Sequence, residues 1–153
     1  MRKFTINKDL PKNLPLLFKQ RVKESPDVGL QASKDKNGVF QTYTYKQVYE
    51  NVICFALALQ EIGVVRGENI ALISDNRREW LITDQAIQSL GCADVPRGCD
   101  SLGNEIRFII SFAESNVTGI SVSSPLRNCT TWRTFSTAYT SIPSTTELSS
   151  AFA

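Results

Sequence analysis

The sequence has no histidine and only 4 cysteines, 2 tryptophans and 1 methionine among its 153 residues. Without histidine it lacks the commonest general base and the commonest companion of cysteine at a zinc site. The cysteines, at positions 54, 92, 99 and 129, form no Cys-x-x-Cys pair that would bind a metal or exchange disulfides. We therefore expect no metal site in this chain.

Long apolar stretches and clustered positive charge are also missing. The longest apolar run, Val52 to Leu59, is far shorter than the roughly 20 residues that span a bilayer. The first residues lack the apolar segment of a signal peptide. The net charge of +2, without a basic stripe, argues against nucleic acid as a partner. These absences predict a cytoplasmic protein with reduced thiols and no transmembrane segment, and they leave peripheral membrane attachment open.

Composition changes abruptly near residue 115. All 8 lysines precede position 47 and 14 of the 15 acidic residues precede position 115. Serine and threonine make up 16 of the 38 residues from 116 to 153, against 11 of the first 115. Aromatic residues are scattered through this second part, which is unusual for a linker, and no helical or strand period continues through it. We expect residues 116–153 to be a disordered tail translated outside the ancestral reading frame.

Residues before the boundary predict an α/β fold. A helix should follow Asn13, and strands at 28–33 and 39–43 should form a hairpin in which Asn37-Gly38 supplies positive φ angles. Thr44, with Gln47 three residues later, should cap a second helix. The apolar face of that helix repeats at steps of four and three residues, and Gly63 should end it. The face comprises Val48, Val52, Phe55, Leu59 and Ile62.

Two strand–helix units should follow. The continuous apolar run of residues 70–73 is typical of a buried parallel strand, and Asp75 or Asn76 can cap a helix over residues 77–90. A second strand is predicted over residues 92–96. Asp100 or Ser101 can cap a last helix, whose apolar face carries Ile106, Ile109, Ile110 and Ala113. The order β-α-β-α predicts a parallel sheet with right-handed crossovers.

Four segments together resemble a known family. They are Leu16–Arg21, Thr42–Val48, Gly67–Trp80 and Gly91–Pro96. In this order and spacing they resemble the N-terminal region of adenylate-forming, AMP-binding enzymes, and Asn76-Arg77-Arg78-Glu79-Trp80 is similar to the long-chain fatty acid–CoA ligase branch. The resemblance implies that residues 1–115 are an incomplete N-terminal part of such a ligase, within a truncated chain.

For the full-length family the resemblance implies activation of a fatty acid by ATP and Mg²⁺, followed by transfer of the acyl group to coenzyme A. The family's phosphate-binding loop is a Gly-, Ser- and Thr-rich run that ends in Pro-Lys-Gly, and nothing in this sequence matches it. Ser144-Thr145-Thr146 has neither glycine nor lysine nearby. We therefore assign no catalytic, cofactor-binding or metal-binding residue to this chain and expect it to be inactive alone.

The remaining candidate residues have simpler structural interpretations. Asp75 to Arg78 open a helix after a strand, where an anion could bind, but caps and solvated arginines explain them better. No spacing joins Asp94, Asp100 and Glu105 into an acid–base pair. Cys92 and Cys99 are expected to be inert thiols, and Trp80 is expected to pack in the core.

Two alternatives to a truncated ligase remain open. The chain could be a small α/β module that binds a nucleotide or a protein, or a subunit that associates with the separately encoded remainder of a split ligase. A measured nucleotide affinity would favour the first alternative. An adjoining reading frame that encodes the missing phosphate loop would favour the second.

Overall fold

The structure is a computed structural model that describes residues 11–98 and 100–115. Its elements are α1 (Leu14–Glu24), β1 (Gly29–Lys34), β2 (Phe40–Thr44), α2 (Tyr45–Glu61), β3 (Asn69–Ile73), α3 (Arg78–Ser89), β4 (Ala93–Arg97) and α4 (Gly103–Phe112). Strands β1 and β2 pair antiparallel, and β3 and β4 pair parallel. The predicted α/β class, hairpin and β-α-β-α order are confirmed. The predicted disordered tail, residues 116–153, lies outside the described residues.

Helix α1 begins as its sequence predicts. The Asn13 side chain accepts a hydrogen bond from the Leu16 N–H at 2.9 Å, and proline occupies the first turn, where its missing N–H costs nothing. Phe18 holds the helix against α2, with its ring centroid 6.1 Å from that of Tyr45 and 6.0 Å from that of Tyr49. Because α1 buries no residue completely, aromatic contact on one side attaches it to the fold.

The hairpin forms as predicted, but its turn is of another kind. Of the two residues Asn37 and Gly38, only Gly38 has a positive φ, which is 79°. The Asp35 side chain accepts hydrogen bonds from the N–H groups of Asn37 and Val39, at 2.8 and 3.0 Å. The Gly38 N–H bonds the Asp35 carbonyl at 3.0 Å. The prediction of two positive φ angles at Asn37-Gly38 is therefore wrong. The Asp35 side chain stabilises a turn in which Gly38, but not Asn37, is left-handed.

Helix α2 confirms the capping prediction and the apolar stripe. The Gln47 N–H bonds the Thr44 hydroxyl at 3.3 Å, and the Thr44 N–H bonds the Gln47 side chain at 2.9 Å. Gly63, with φ of 93°, ends the helix. The next N–H, of Val64, then bonds the Leu59 carbonyl at 3.1 Å. The completely buried residues of the helix are Val48, Val52, Phe55, Ala58 and Leu59, whereas Ile62 is partly buried beside them.

The core lies between α2, α3 and β3. Ile70 and Leu72 of β3 are 0% exposed, and Ile82 and Ile87 of α3 are at most 1% exposed. A parallel strand covered by helices is expected to be apolar, and β3 is apolar and buried from Ile70 to Ile73. β4 differs, because its residues are exposed or only half-buried. Within the described residues, each strand of the parallel pair has one paired side, and β4 is the more exposed of the two.

The helices that follow each parallel strand start without the predicted caps. Arg77 occupies the N-cap position of α3, and its side chain makes no capping hydrogen bond. Leu102 occupies the N-cap position of α4, where the Glu105 carboxylate accepts from the Leu102 N–H at 3.3 Å. The predicted caps, at Asp75 or Asn76 and at Asp100 or Ser101, are wrong because each helix begins one or two residues later than a cap there requires. The predicted apolar face of α4 is confirmed, with Ile106 buried.

Candidate functional site

The arginines that follow β3 are bound by a buried carboxylate. The Nε atom of Arg77 lies 3.1 Å from one Glu79 oxygen, and the Nε atom of Arg78 lies 3.1 Å from the other. The Glu79 side chain is only 4% exposed, and that of Arg78 only 12%. The expectation of solvated arginines is therefore wrong. A carboxylate this deeply buried needs charge-assisted partners, and the two guanidinium groups provide them.

Arg78 also connects α3 to the hairpin. Its guanidinium carbon lies 4.1 Å from the centroid of the Tyr43 ring, a cation–π contact between the helix start and β2. The Gln31 side chain of β1 donates a hydrogen bond to the Arg78 carbonyl at 3.3 Å. One residue thus holds both strands of the hairpin against the parallel pair, which gives the arginine a structural role.

A broad polar groove of about 1010 Å³ runs between the hairpin and the first turns of α2 and α3. Its charged lining residues are Lys34, Asp35, Lys36, Glu50, Arg77, Arg78 and Glu79. Positive and negative side chains are interspersed there, and the two arginines already contact Glu79. The groove therefore offers no concentrated positive charge for a phosphate group.

A smaller cleft of about 390 Å³ lies at the carboxyl ends of β3 and β4, where open α/β sheets commonly bind ligands. Trp80 lines it, together with Asn76, Pro96 and Arg97. The prediction that Trp80 packs in the core is wrong, since its ring is only partly buried. Ile82 and Ala86 of α3 belong to the core, whereas Trp80 lines the cleft at the ends of the strands.

The three carboxyl groups considered in the sequence do not form one site. Asp94 is near the amino end of β4, whereas Asp100 follows its carboxyl end and Glu105 bonds the backbone at the start of α4. Asp84 of α3, a residue that sequence periodicity did not select, lies near enough to Asp94 for its charge to act on that carboxyl group. Burial, and then the charge of Asp84, raise the pKa of Asp94 above its ordinary value.

The described cysteines differ from one another. Cys92 is free and buried, and its thiol donates to the Val65 carbonyl at 3.2 Å, as expected of an inert thiol. Cys54 is disulfide-bonded, so the prediction of reduced thiols is wrong for this residue. Sequence spacing does not show which cysteines of a folded chain approach each other. Cys99 and Cys129 lie outside the described residues.

Across residues 11–98 and 100–115, no three His, Cys, Asp or Glu side chains lie close enough together to hold a metal ion. Over the same ranges, no helix has the length and apolar character needed to cross a membrane. The assignment of no catalytic or cofactor-binding residue to this chain stays a prediction.

Sequence reasoning missed two buried carboxylates, Glu79 and Asp84. Both lie in α3 among buried polar residues, so a search for an apolar stripe passes over them. The one signal for Glu79 was its place in the Asn-Arg-x-Glu-Trp segment. For Asp84 there was none, because its burial depends on the other elements that pack against α3.

Comparison with known proteins places this fold among enzymes. The profile of the AMP-binding enzyme family matches residues 18–140. The chain is 40% identical over 72 residues to a chloroplastic long-chain-fatty-acid–acyl-carrier-protein ligase of Arabidopsis thaliana, which covers 47% of this chain and 10% of the relative. It is 32% identical over 106 residues to long chain acyl-CoA synthetase 5 of the same plant, covering 66% of this chain and 16% of the relative.

The fold is also found in a solved structure. The N-terminal domain of FACL13 from Mycobacterium tuberculosis superposes with a TM-score of 0.64 at 26% identity, over 72% of this chain and 27% of that domain. The chain thus spans about a tenth to a sixth of the length of these curated relatives. The matched part is the N-terminal α/β portion of much longer proteins.

Proposed function

Because the chain belongs to the family of AMP-binding enzymes, we propose that it forms the N-terminal α/β part of a ligase that activates long-chain fatty acids. In this proposal the fatty acid carboxylate attacks the α-phosphate of ATP, held with Mg²⁺, and releases pyrophosphate. The thiol of coenzyme A then displaces AMP from the acyl-adenylate. The observation that carries the proposal is the family match over residues 18–140.

The names of the relatives support the substrate class. One relative is a long-chain-fatty-acid ligase that uses an acyl carrier protein, and another is a long chain acyl-CoA synthetase. Both names specify a long acyl chain. They differ in the acceptor, which is an acyl carrier protein in the first name and CoA in the second. Coenzyme A is the acceptor we propose, because the Asn76-Arg77-Arg78-Glu79-Trp80 segment resembles the CoA-ligase branch.

The described residues act as scaffold in this proposal. Arg78 joins α3 to the hairpin, and Glu79 binds both Arg77 and Arg78. The sequence has no glycine-rich run followed by lysine, so no backbone loop is available to surround a triphosphate. This chain alone is therefore expected not to catalyse adenylation.

Exchange of labelled pyrophosphate into ATP in the presence of palmitate tests the last expectation. The purified chain should give no exchange above a no-protein control, because adenylation requires preorganised donors around the phosphates. Calorimetric titration with ATP should likewise show no saturable heat. Saturable ATP binding would favour the alternative of a small nucleotide-binding module, and exchange above the control would contradict the scaffold role.

A chimera provides the positive test. Residues 11–115 would replace the aligned segment of Arabidopsis long chain acyl-CoA synthetase 5, to which the chain is 32% identical. We expect the chimera to form palmitoyl-CoA, and a second chimera with Glu79→Gln to be less stable and less active. A folded chimera without any ligase activity would contradict the proposal.

A further inference from the structure

The cleft at the carboxyl ends of β3 and β4 brings an aromatic ring and an arginine together. Trp80 and Arg97 both line this cavity of about 390 Å³, and Asn76 adds a side-chain amide. Small-molecule sites commonly have volumes of about 300–1,000 Å³. The carboxyl ends of the strands are also the edge at which open α/β sheets bind ligands. The size, the position and the side chains of the cleft thus all suit a small ligand.

Arg97 supplies a positive charge at this cleft. The Ser74 N–H donates to the Arg97 carbonyl at 3.0 Å, which fixes the arginine backbone beside the end of β3. The Arg97 side chain is exposed. Within residues 11–98 and 100–115, no carboxylate forms an ion pair with it, in contrast to Arg77 and Arg78, which contact Glu79. Its guanidinium N–H groups are therefore available to an anion.

The other lining residues indicate what the anion should be attached to. Pro96 is exposed and the Trp80 ring is only partly buried, so both offer apolar surface beside Arg97. A guanidinium group binds a carboxylate through two parallel N–H···O bonds. A triphosphate carries more charge than one arginine neutralises, and enzymes that bind it add a metal ion or further cations. The cleft therefore matches a single carboxylate with an apolar body.

Asp100 places a negative charge close to the same cleft. Its carboxylate lies against Gly98, which is one of the lining residues. Among the described residues it forms no ion pair with Arg97. Two like charges repel each other, so Asp100 should weaken the binding of a carboxylate at Arg97. Neutralising this aspartate is then expected to strengthen the binding.

We propose that this cleft is a binding site for a monocarboxylate with an apolar body, either an acyl chain or an aromatic ring. The carboxylate contacts the Arg97 guanidinium and the Asn76 amide, and the apolar body lies against Trp80 and Pro96. The site goes beyond the proposed role in a ligase, because binding here involves no ATP and no acyl transfer. A chain that lacks ligase activity would still bind the carboxylate, and the two proposals can fail separately.

Isothermal titration calorimetry of the full chain tests the site with matched probes. Octanoate and 4-phenylbutyrate carry a carboxylate on an acyl and on an aromatic body, and we expect at least one of them to bind saturably. The tighter of the two identifies the body that the cleft prefers. Acetate lacks the apolar body and 1-octanol lacks the charge, so both should bind more weakly by about tenfold or more. Binding of 1-octanol as tight as that of octanoate would overturn the role of Arg97.

Two arginine variants separate this site from general charge effects. Arg97→Gln changes an exposed side chain and should weaken carboxylate binding by about tenfold or more. The control is Arg66→Gln, since Arg66 is also exposed but precedes β3 and thus lies at the opposite end of the parallel pair. It should leave the affinity unchanged. Asp100→Asn should tighten binding roughly twofold to fivefold.

A measurement on the natural chain does not depend on any variant. The indole N–H resonance of Trp80 should shift saturably with the bound carboxylate, at the midpoint found by calorimetry. Circular dichroism of each variant checks that it keeps the fold. The proposal is overturned if neither carboxylate binds saturably, if Arg97→Gln binds as tightly as the natural chain, or if Arg66→Gln weakens binding as much as Arg97→Gln does.

Discussion

Helices α2 and α3 pack against each other, but they bury different kinds of side chain. The buried residues of α2 are all apolar, from Val48 to Leu59. Helix α3 buries Ile82, Ala86 and Ile87, and beside them it buries four polar or acidic residues. These are Glu79, Thr83, Asp84 and Gln85. The buried face of α2 is therefore apolar, whereas α3 also buries polar groups that need hydrogen bonds and charge pairs inside the protein.

The largest loss of stability is expected when a buried apolar residue of α2 is truncated. Phe55 is 4% exposed at the centre of the α2 stripe, and Phe55→Ala should lower the free energy of unfolding by about 3–5 kcal/mol, since it removes packed atoms and leaves a cavity. Leu57→Ala, at a position 55% exposed on the same helix, should change it by less than about 0.5 kcal/mol. Denaturant unfolding measures both, and equal losses would refute the core assignment.

The next largest loss of stability is expected when the buried carboxylate of Glu79 in α3 is neutralised. Glu79→Gln removes the negative charge that binds Arg77 and Arg78, and we expect a loss of about 3 kcal/mol because Arg78 is left buried without its counter-ion. The control is Glu24→Gln, which breaks the exposed ion pair with Arg21, 3.6 Å apart. It should cost less than about 1 kcal/mol. Equal losses of unfolding free energy for the two substitutions would show that burial does not strengthen the contacts of Glu79.

A smaller effect compares how the two helices begin. Thr44→Ala removes the hydroxyl that accepts from the Gln47 N–H and should destabilise the chain by about 1 kcal/mol. Asn76→Ala, before α3, should cost less than about 0.5 kcal/mol, because the N-cap residue of that helix is Arg77 and not Asn76. Urea unfolding of the two variants measures the difference. A larger loss for Asn76→Ala would show that the asparagine caps α3 in solution.

The smallest expected effect contrasts two aspartates whose pKa values shift in opposite directions. Hydrogen bonds from the Val39 and Asn37 N–H groups lower the pKa of Asp35 below 3.8, whereas the pKa of Asp94 is raised. The Asp35 contribution is therefore present above pH 3.8 and is lost as the pH falls through the lowered pKa. Asp35→Ala should lower the melting temperature slightly at pH 7, and by less at pH 3. A difference that does not change with pH would contradict this assignment.

The contrast between the helices also explains which predictions succeeded. The cap of α2 and its apolar stripe depend on residues three or four positions apart, so they can be seen in the sequence and are confirmed. The hairpin position was predicted as well, but its turn geometry was not. Asn-Gly favours two positive φ angles, and the Asp35 side chain stabilises a turn with one. A competing local hydrogen bond prevailed over the dipeptide preference.

Predictions for the candidate site succeeded less often. Trp80 was expected in the core and lines a cleft, and the arginines were expected in solvent and contact Glu79. Whether a polar side chain in α3 is buried depends on which elements cover the helix. Tyr43 of β2 and Gln31 of β1 cover Arg78 from more than thirty positions away in the chain. No local pattern around Arg78 contains that information.

By itself, the sequence of this protein determined the order of helices and strands, the start of α2 and the resemblance to AMP-binding enzymes. Each of these depends on neighbouring residues or on a motif that can be aligned. The tertiary structure alone decided that Glu79 binds two arginines, that Asp84 is buried, and that Trp80 lines a cleft. The physical reason is that burial determines the strength of charge and hydrogen-bond interactions, and burial is set by elements distant in the chain.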